Sequence, residues 1–199
     1  MSKLGGAGIL IIEQNYYSII NKRSEPAVIL FGSPKGVFQD IGGVMDKEDK
    51  YDDKGKKLNK NKTIAKTAAR EAREESHGLI DIDYRKVMLM PYFDLGRYRV
   101  FVMVIKAGHF YSRFFYHNRI IKKKEEIIDV ARFYITDLIA TKLRYNHNII
   151  CVDTKGQLRI IRDRTVKLLQ IVLSSVIYKV IDTPLFITVS YKNNKYKIE

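Results

Sequence analysis

The sequence predicts an α/β fold, a mixed β-sheet held between helices. Three observations carry that prediction. Short β-rich runs lie on both sides of one alanine-rich helical stretch, and a second amphipathic stretch comes late in the chain. The third is composition: 46% of the 199 residues are hydrophobic. That supplies a core for a single domain over residues 1–199 and excludes global disorder.

The elements follow in order. "MSKLGGAGILIIEQ" carries a short apolar run that ends at Glu13 without a cleavage site after it, so it reads as a strand rather than a leader. "PAVILFGS" reads as a second strand, and "GVFQDIGGVM" as a third that closes on Gly42 and Gly43. Residues 46–62, "DKEDKYDDKGKKLNKNK", hold seven lysines and five acids and almost no apolar side chain. They read as a solvated, mobile loop. A helix is expected from about Thr63 to Ser76, capped by Asn61 or Thr63 and favoured by Ala65, Ala68, Ala69 and Ala72. Gly78 supplies its stop.

"RKVMLMPYF" and "RYRVFVMVIKAG" flank "DLGR", which reads as a hairpin turn. "HNRIIKKKEEIIDV" is a connection, first basic and then acidic. "ARFYI" is a short strand, and "RTVKLLQIVLSSVI" has the stripe of a second helix. Residues 183–199 form a C-terminal tail in which "FITVSYKNNKYKIE" reads as a hairpin turning at Asn193 and Asn194.

Charge narrows the partners. The formal net charge is +14 and the pI is near 9.7. Residues 99–199 hold 19 Lys and Arg against 8 Asp and Glu. Such a surplus attracts polyanions: nucleic acid, nucleotides, inositol phosphates or an anionic membrane face. No run approaches the ~18 apolar residues of a membrane span, so no membrane partner is expected. Cys151 is the one cysteine. It sits in the apolar "NIICVD" as a core residue, and no disulfide can form within the chain, which suits a reducing, cytoplasmic setting.

The stretch "REAREES" places Glu71, Glu74 and Glu75 at the C-terminal end of the expected helix. Helix carbonyls already make that end partly negative, so acids there are disfavoured by roughly 0.3–1 kcal/mol each. The three carboxylates occupy about a quarter of the helix circumference, at the edge of the apolar stripe formed by Ile64 and the alanines. They are (i, i+3) and (i, i+4) neighbours, so they repel one another, and at the border of a core they also lose hydration. A hard divalent cation, magnesium or manganese, relieves both penalties and retains waters for a phosphate substrate.

These residues resemble the signature of the Nudix hydrolase family, G-x5-E-x7-R-E-U-x-E-E-x-G-U, where U is a bulky apolar residue. Arg70, Glu71, Ala72, Arg73, Glu74 and Glu75 match R-E-U-x-E-E, with Ala72 as a small U, and "DIGGVM" places Gly43 at the first glycine. The resemblance covers roughly residues 5–175. An abundance of Ile, Lys, Asn and Tyr, as an AT-rich genome encodes, together with an interrupted box makes the chain look similar to divergent members from large DNA viruses. Three departures stand out. Gly43 and Arg70 lie 27 positions apart where the pattern has 14, so 13 residues look inserted. The early glutamate is missing: counted forward from Gly43 its place holds Asp49, and counted back from Arg70 it holds Lys62. His77 delays the final glycine by one position.

The resemblance implies a Nudix-like α/β/α sandwich and a Mg2+- or Mn2+-dependent pyrophosphohydrolase. The linkage cut would be a diphosphate in a nucleoside diphosphate derivative, the mRNA cap being one candidate. Glu71, Glu74 and Glu75 would ligate metal with the Gly43 carbonyl, and Glu125 or Glu126 would complete the set. Arg70 would hold Glu74. Lys122, Lys123 and Lys124 would meet phosphates, and Phe38, Tyr92 or Tyr111 would stack a base. Dinucleoside polyphosphates and diphosphoinositol polyphosphates are the other substrates the charge suits. The expectation from a different class is a non-catalytic RNA- or nucleotide-binding protein of the same fold.

Overall fold

A computed structural model describes residues 5–18, 22–76, 78, 80–106, 129–142, 144–175, 189–192 and 195–198. Its content is mixed α/β with a mixed sheet. The chain divides into two compact units, one of Met1–Leu10, Ile41–Met103 and Ile187–Glu199, the other of Ile11–Asp40 and Val104–Phe186.

In the first unit glycines set the spacing. The start of β1 (Gly6–Ser18) pairs antiparallel with β4 (Ile41–Val44), placing Gly8 opposite Gly42 and Ala7 opposite Gly43. A side chain on Gly6, Gly8 or Gly42 would run into the Tyr98 ring. β4 is also packed by α1 (Lys60–Glu75), whose buried stripe is Ile64, Ala65, Ala68 and Ala72. Three of the four are alanine, which lets helix and strand approach closely. Burying Ile64 alone is worth about 1.5–3 kcal/mol.

After α1 come β5 (Ile80–Asp81), α2 (Tyr84–Val87), β6 (Tyr92–Leu95) and β7 (Tyr98–Lys106). The β6–β7 hairpin turns at Gly96, φ +60°, so "DLGR" is the expected turn. "RKVM" is helical rather than extended, because Asp83 accepts a hydrogen bond from the Arg85 amide at 2.8 Å and caps a short turn. β12 (Val189–Lys192) and β13 (Lys195–Ile198) pair antiparallel around positions 193–194, as expected, and β13 runs parallel to β5.

The expected loop at 46–62 carries structure of its own. It begins with a 3-10 turn at Glu48–Lys50, and Tyr51 then bridges to Lys57. α1 starts at Lys60, earlier than expected, and its cap is Asn59 rather than Asn61 or Thr63. Asn59 Oδ1 accepts from the Lys62 amide at 3.0 Å.

The second unit is built on β2 (Arg23–Gly32), which pairs antiparallel with the rest of β1, with β3 (Val37–Gln39) and with β8 (Asp129–Tyr134). "GVFQDIGGVM" therefore forms two strands, β3 and β4, with Asp40 between them. β11 (Leu158–Ile161) runs parallel to β3 and antiparallel to β10 (Asn148–Val152), which pairs with β9 (Arg144–Tyr145). Two helices, α3 (Ile135–Ala140) and α4 (Asp163–Ser175), accompany these strands. Val28, Ile29, Leu30, Phe31, Phe133 and Leu138 are fully buried here. Cys151 is buried as expected, and its thiol is pushed up by burial. Among the described residues no helix is long and apolar enough to cross a membrane.

Candidate functional site

α1 delivers its last turn to the paired glycines of β4. Glu71 and Glu75 are buried, at 9% and 8% exposure, whereas the Glu74 side chain is 58% exposed. The Gly42 amide donates to Glu75 Oε2 at 2.6 Å. A Cβ on Gly43 would lie 2.5 Å from Glu71 Oε2, so a larger residue there would push the carboxylate aside. Gly43 thus makes room for Glu71, and the Gly42 amide anchors Glu75. Past them the helix closes at Ser76, and Gly78, at φ +78°, donates back to the Arg73 carbonyl at 2.6 Å.

Arg70 organises this end of the helix. Its Nη1 donates to Glu74 Oε2 at 2.7 Å, the expected (i, i+4) contact, and its Nη2 to Glu71 Oε1 at 2.7 Å. Its Nε donates to Asp49 Oδ1 at 3.0 Å, and Nη2 reaches the Val44 carbonyl at 2.9 Å. Asp49 is 1% exposed and also accepts from Thr67 Oγ1 and the Asp46 amide, both at 2.9 Å. Asp49, the residue counted forward from Gly43, is therefore tied to Arg70. Lys62, the alternative, sits exposed in the first turn of α1.

Electrostatics follow the geometry. Burial raises the Glu71 pKa from its ordinary 4.5; Arg70 opposes the shift, while Glu74 and Asp49 add to it. Burial also works against the charge on Arg70, but its hydrogen bonds to Asp49 and the charge of Glu71 outweigh that, and its pKa is raised. The donor chemistry suits a hard divalent cation: carboxylate oxygens on one helix turn, backed by main chain, one of them charged against its surroundings. As arranged here they do not meet at one point. Among the described residues no three acidic, histidine or cysteine side chains group to hold a metal. Arg70 draws Glu71 and Glu74 to itself, and Glu75 turns to Gly42.

An open groove of about 1010 Å³ runs beside the exposed face of α1, lined among others by Lys66, Arg70, Arg73, Glu74, Asp81 and Tyr84. Tyr84, which sequence reasoning did not single out, lines the groove with the Arg85 guanidinium 5.2 Å from its ring centre. Of the aromatic candidates named from sequence, Phe38 is 2% exposed and packs edge-on against Phe133, 6.0 Å between ring centres. That is a core position, with no face left for a base. Tyr92 is 48% exposed but lies under the Arg99 guanidinium at 3.9 Å. Tyr111, Lys122, Lys123, Lys124, Glu125, Glu126 and His77 lie outside the described residues.

A scan against protein-family models finds no match, and none of the curated proteins matches the chain.

Proposed function

We propose that the chain is a divalent-cation-dependent hydrolase, built as a Nudix-like α/β/α sandwich, that cleaves a diphosphate linkage in a nucleoside diphosphate derivative. The observation that supports it best is the burial of Glu71 and Glu75 side by side against the Gly42–Gly43 main chain. Glu71, Glu74, Glu75 and the Gly43 carbonyl would hold Mg2+ or Mn2+, with Glu125 or Glu126 as a further ligand. When bound, the cation offsets phosphate charge and lowers the pKa of a coordinated water.

The chain's own groups do the rest. Arg70 fixes the rotamers of Glu71 and Glu74 through two hydrogen bonds of 2.7 Å. Asp49 and the Val44 carbonyl hold Arg70 in turn, so the carboxylates start from a set position. Reaction is attack of a water oxygen on phosphorus with rupture of the bridging P–O bond, the water proton passing to a carboxylate of this cluster. A nucleotide panel that includes capped RNA, a dinucleoside polyphosphate and a diphosphoinositol polyphosphate, assayed with and without Mg2+, tests the reading. Metal-dependent product from one of them, lost in Glu74→Gln, is expected. No turnover of any substrate by the wild type, with nucleotide or RNA still bound, would establish the second reading, a non-catalytic binding protein. The hold of Arg70 on both Glu71 and Glu74 is the observation that favours that alternative.

A further inference from the structure

Residues 54–62 hold five lysines and no acid: Lys54, Lys56, Lys57, Lys60 and Lys62. All five are exposed, and among the described residues none of them is ion-paired. Two of the nearby acids are held by other groups, while Asp53 in the tip is exposed and Asp94 feels the charge of Lys60. Asp49 faces Arg70, and Asp52 Oδ1 accepts from the Lys54 and Lys56 amides at 3.0 and 2.8 Å.

A flexible, solvated run would let these charges spread apart. Here the main chain gathers them. Lys66 Nζ donates to the Tyr51 carbonyl at 2.6 Å, the Leu58 amide to the Lys50 carbonyl at 2.8 Å, and Arg99 Nη1 to Asn61 Oδ1 at 3.2 Å. Lys60 and Lys62 also sit in the first turn of α1, which contains no acid. Cations there meet the partly positive end of the helix, at a cost of roughly 0.3–1 kcal/mol each. Like charges assembled on an ordered scaffold lose free energy that a polyanion would restore. The ordered main chain also spares the backbone part of the ordering entropy that binding otherwise costs.

We propose that this turn and the first turn of α1 are a docking surface for the phosphate backbone of single-stranded nucleic acid. Three features select that partner. Five cations strung along the chain match a row of phosphates better than a single small anion. Tyr51, 46% exposed and bridged to Lys57, presents an aromatic side chain on which an unpaired base can stack. The tip, residues 52–57, is "DDKGKK" and has no apolar side chain to enter a lipid surface. The surface stands whether or not the glutamate cluster hydrolyses anything.

Binding of a fluorescein-labelled oligouridylate to the full chain, followed by anisotropy across a salt series, tests it. Replacing the five lysines with glutamine should weaken binding about tenfold or more at low salt. It should also flatten the slope of log Kd against log salt by up to about 3.5, since each single-strand phosphate contact contributes about 0.7. Arginine at the same five positions should preserve both. Lys56→Gln with Lys57→Gln, at the tip and outside α1, should give a partial loss of slope without touching the helix. Tyr51→Ala should weaken binding about fivefold or more and leave the slope unchanged. Thermal unfolding of each variant reports that it is folded. An unchanged Kd and slope in the tip variant and the five-lysine variant would overturn the proposal. So would a slope that responds only to Lys122, Lys123 and Lys124, or tighter binding to phosphatidylserine vesicles than to the oligonucleotide.

Discussion

Two buried charge clusters, one in each unit, are built on opposite principles. In the second unit Glu13 of β1 and Arg132 of β8 meet across β2. Arg132 Nη2 donates to Glu13 Oε1 at 2.9 Å and Nε also contacts the carboxylate. Glu13 is 0% exposed and Arg132 6%, so one full charge is matched by another in the core. In the first unit a single guanidinium, Arg70, is shared by four carboxylates, Asp46, Asp49, Glu71 and Glu74. Glu75 lies one residue beyond them. The first arrangement matches one charge with one and serves the fold. The second carries more negative than positive charge in a partly dry place, and the Glu71 pKa is raised, by burial first and by Glu74 and Asp49 in smaller part. Charge that a fold leaves uncompensated, rather than charge that it merely buries, points to a ligand.

The most severe way to break the comparison is to unbalance the balanced cluster. Arg132→Met leaves Glu13 fully buried and unmatched, and should cost about 3–5 kcal/mol of stability. Glu13→Leu with Arg132→Met should recover most of that, because a buried ion pair of this kind is close to energetically neutral against apolar groups. Neither variant should change its response to Mg2+ or Mn2+. Denaturant unfolding of the single and double variants is the measurement, and a double variant as unstable as the single one would refute the account of a self-sufficient pair.

Arg70→Met should cost less, about 2–3 kcal/mol, since Glu74 is exposed to water while Asp49 keeps Thr67 and the Asp46 amide. It should differ in kind as well. Removing the cation deepens the negative excess, so divalent metal should restore part of the loss. Unfolding midpoints with and without Mn2+ decide the matter: no recovery would place this cluster with the Glu13–Arg132 pair as a purely structural device. Wild-type protein should gain about 2.7 kcal/mol at a metal concentration a hundred times its Kd, and Glu74→Gln should gain less.

How much of this could be read from the residues depended on distance along the chain. The arc of Glu71, Glu74 and Glu75 was legible because the helical period alone fixes it, and the structure places two of the three in the core border. β1, β2, β8, α1, α4 and the tail hairpin were legible from local pattern. Asn59 was not, since a cap inside a uniformly polar run has no apolar neighbour to mark it. The helical turn at Tyr84 was hidden because "VMLM" satisfies a strand pattern, while Asp83 quietly supplies a cap. Asp49 could be counted to, but only its hydrogen bonds to Arg70 and Thr67 give it a role. Glu13 and Arg132 are 119 positions apart, and no local pattern joins them. Phe38 looked available as an isolated aromatic, and long-range packing on Phe133 removed it from the surface.

The smallest expected effect sharpens the comparison most. Glu71 has a folded-state pKa above its ordinary 4.5, so the fold binds its proton more tightly than the unfolded chain does. Its contribution to stability is then fully present below pH 4.5 and is lost as pH rises through the folded value. Glutamine copies the protonated form. In a chelator at neutral pH, Glu71→Gln should therefore be more stable than wild type, by about 1 kcal/mol at most because water and Arg70 screen the charge. The two proteins should converge as pH falls below 4.5. Adding Mn2+ should reverse the order, since only the carboxylate gains a ligand. Asp94 supplies the opposite sign within the same unit. Its hydrogen bonds from Arg99 hold its carboxyl below the usual 3.8, so Asp94→Asn should lose stability at neutral pH. That deficit should shrink as acid protonates the wild-type aspartate. If Glu71→Gln instead behaves like Asp94→Asn in chelator, Glu71 is already compensated by Arg70, and the cluster needs no cation.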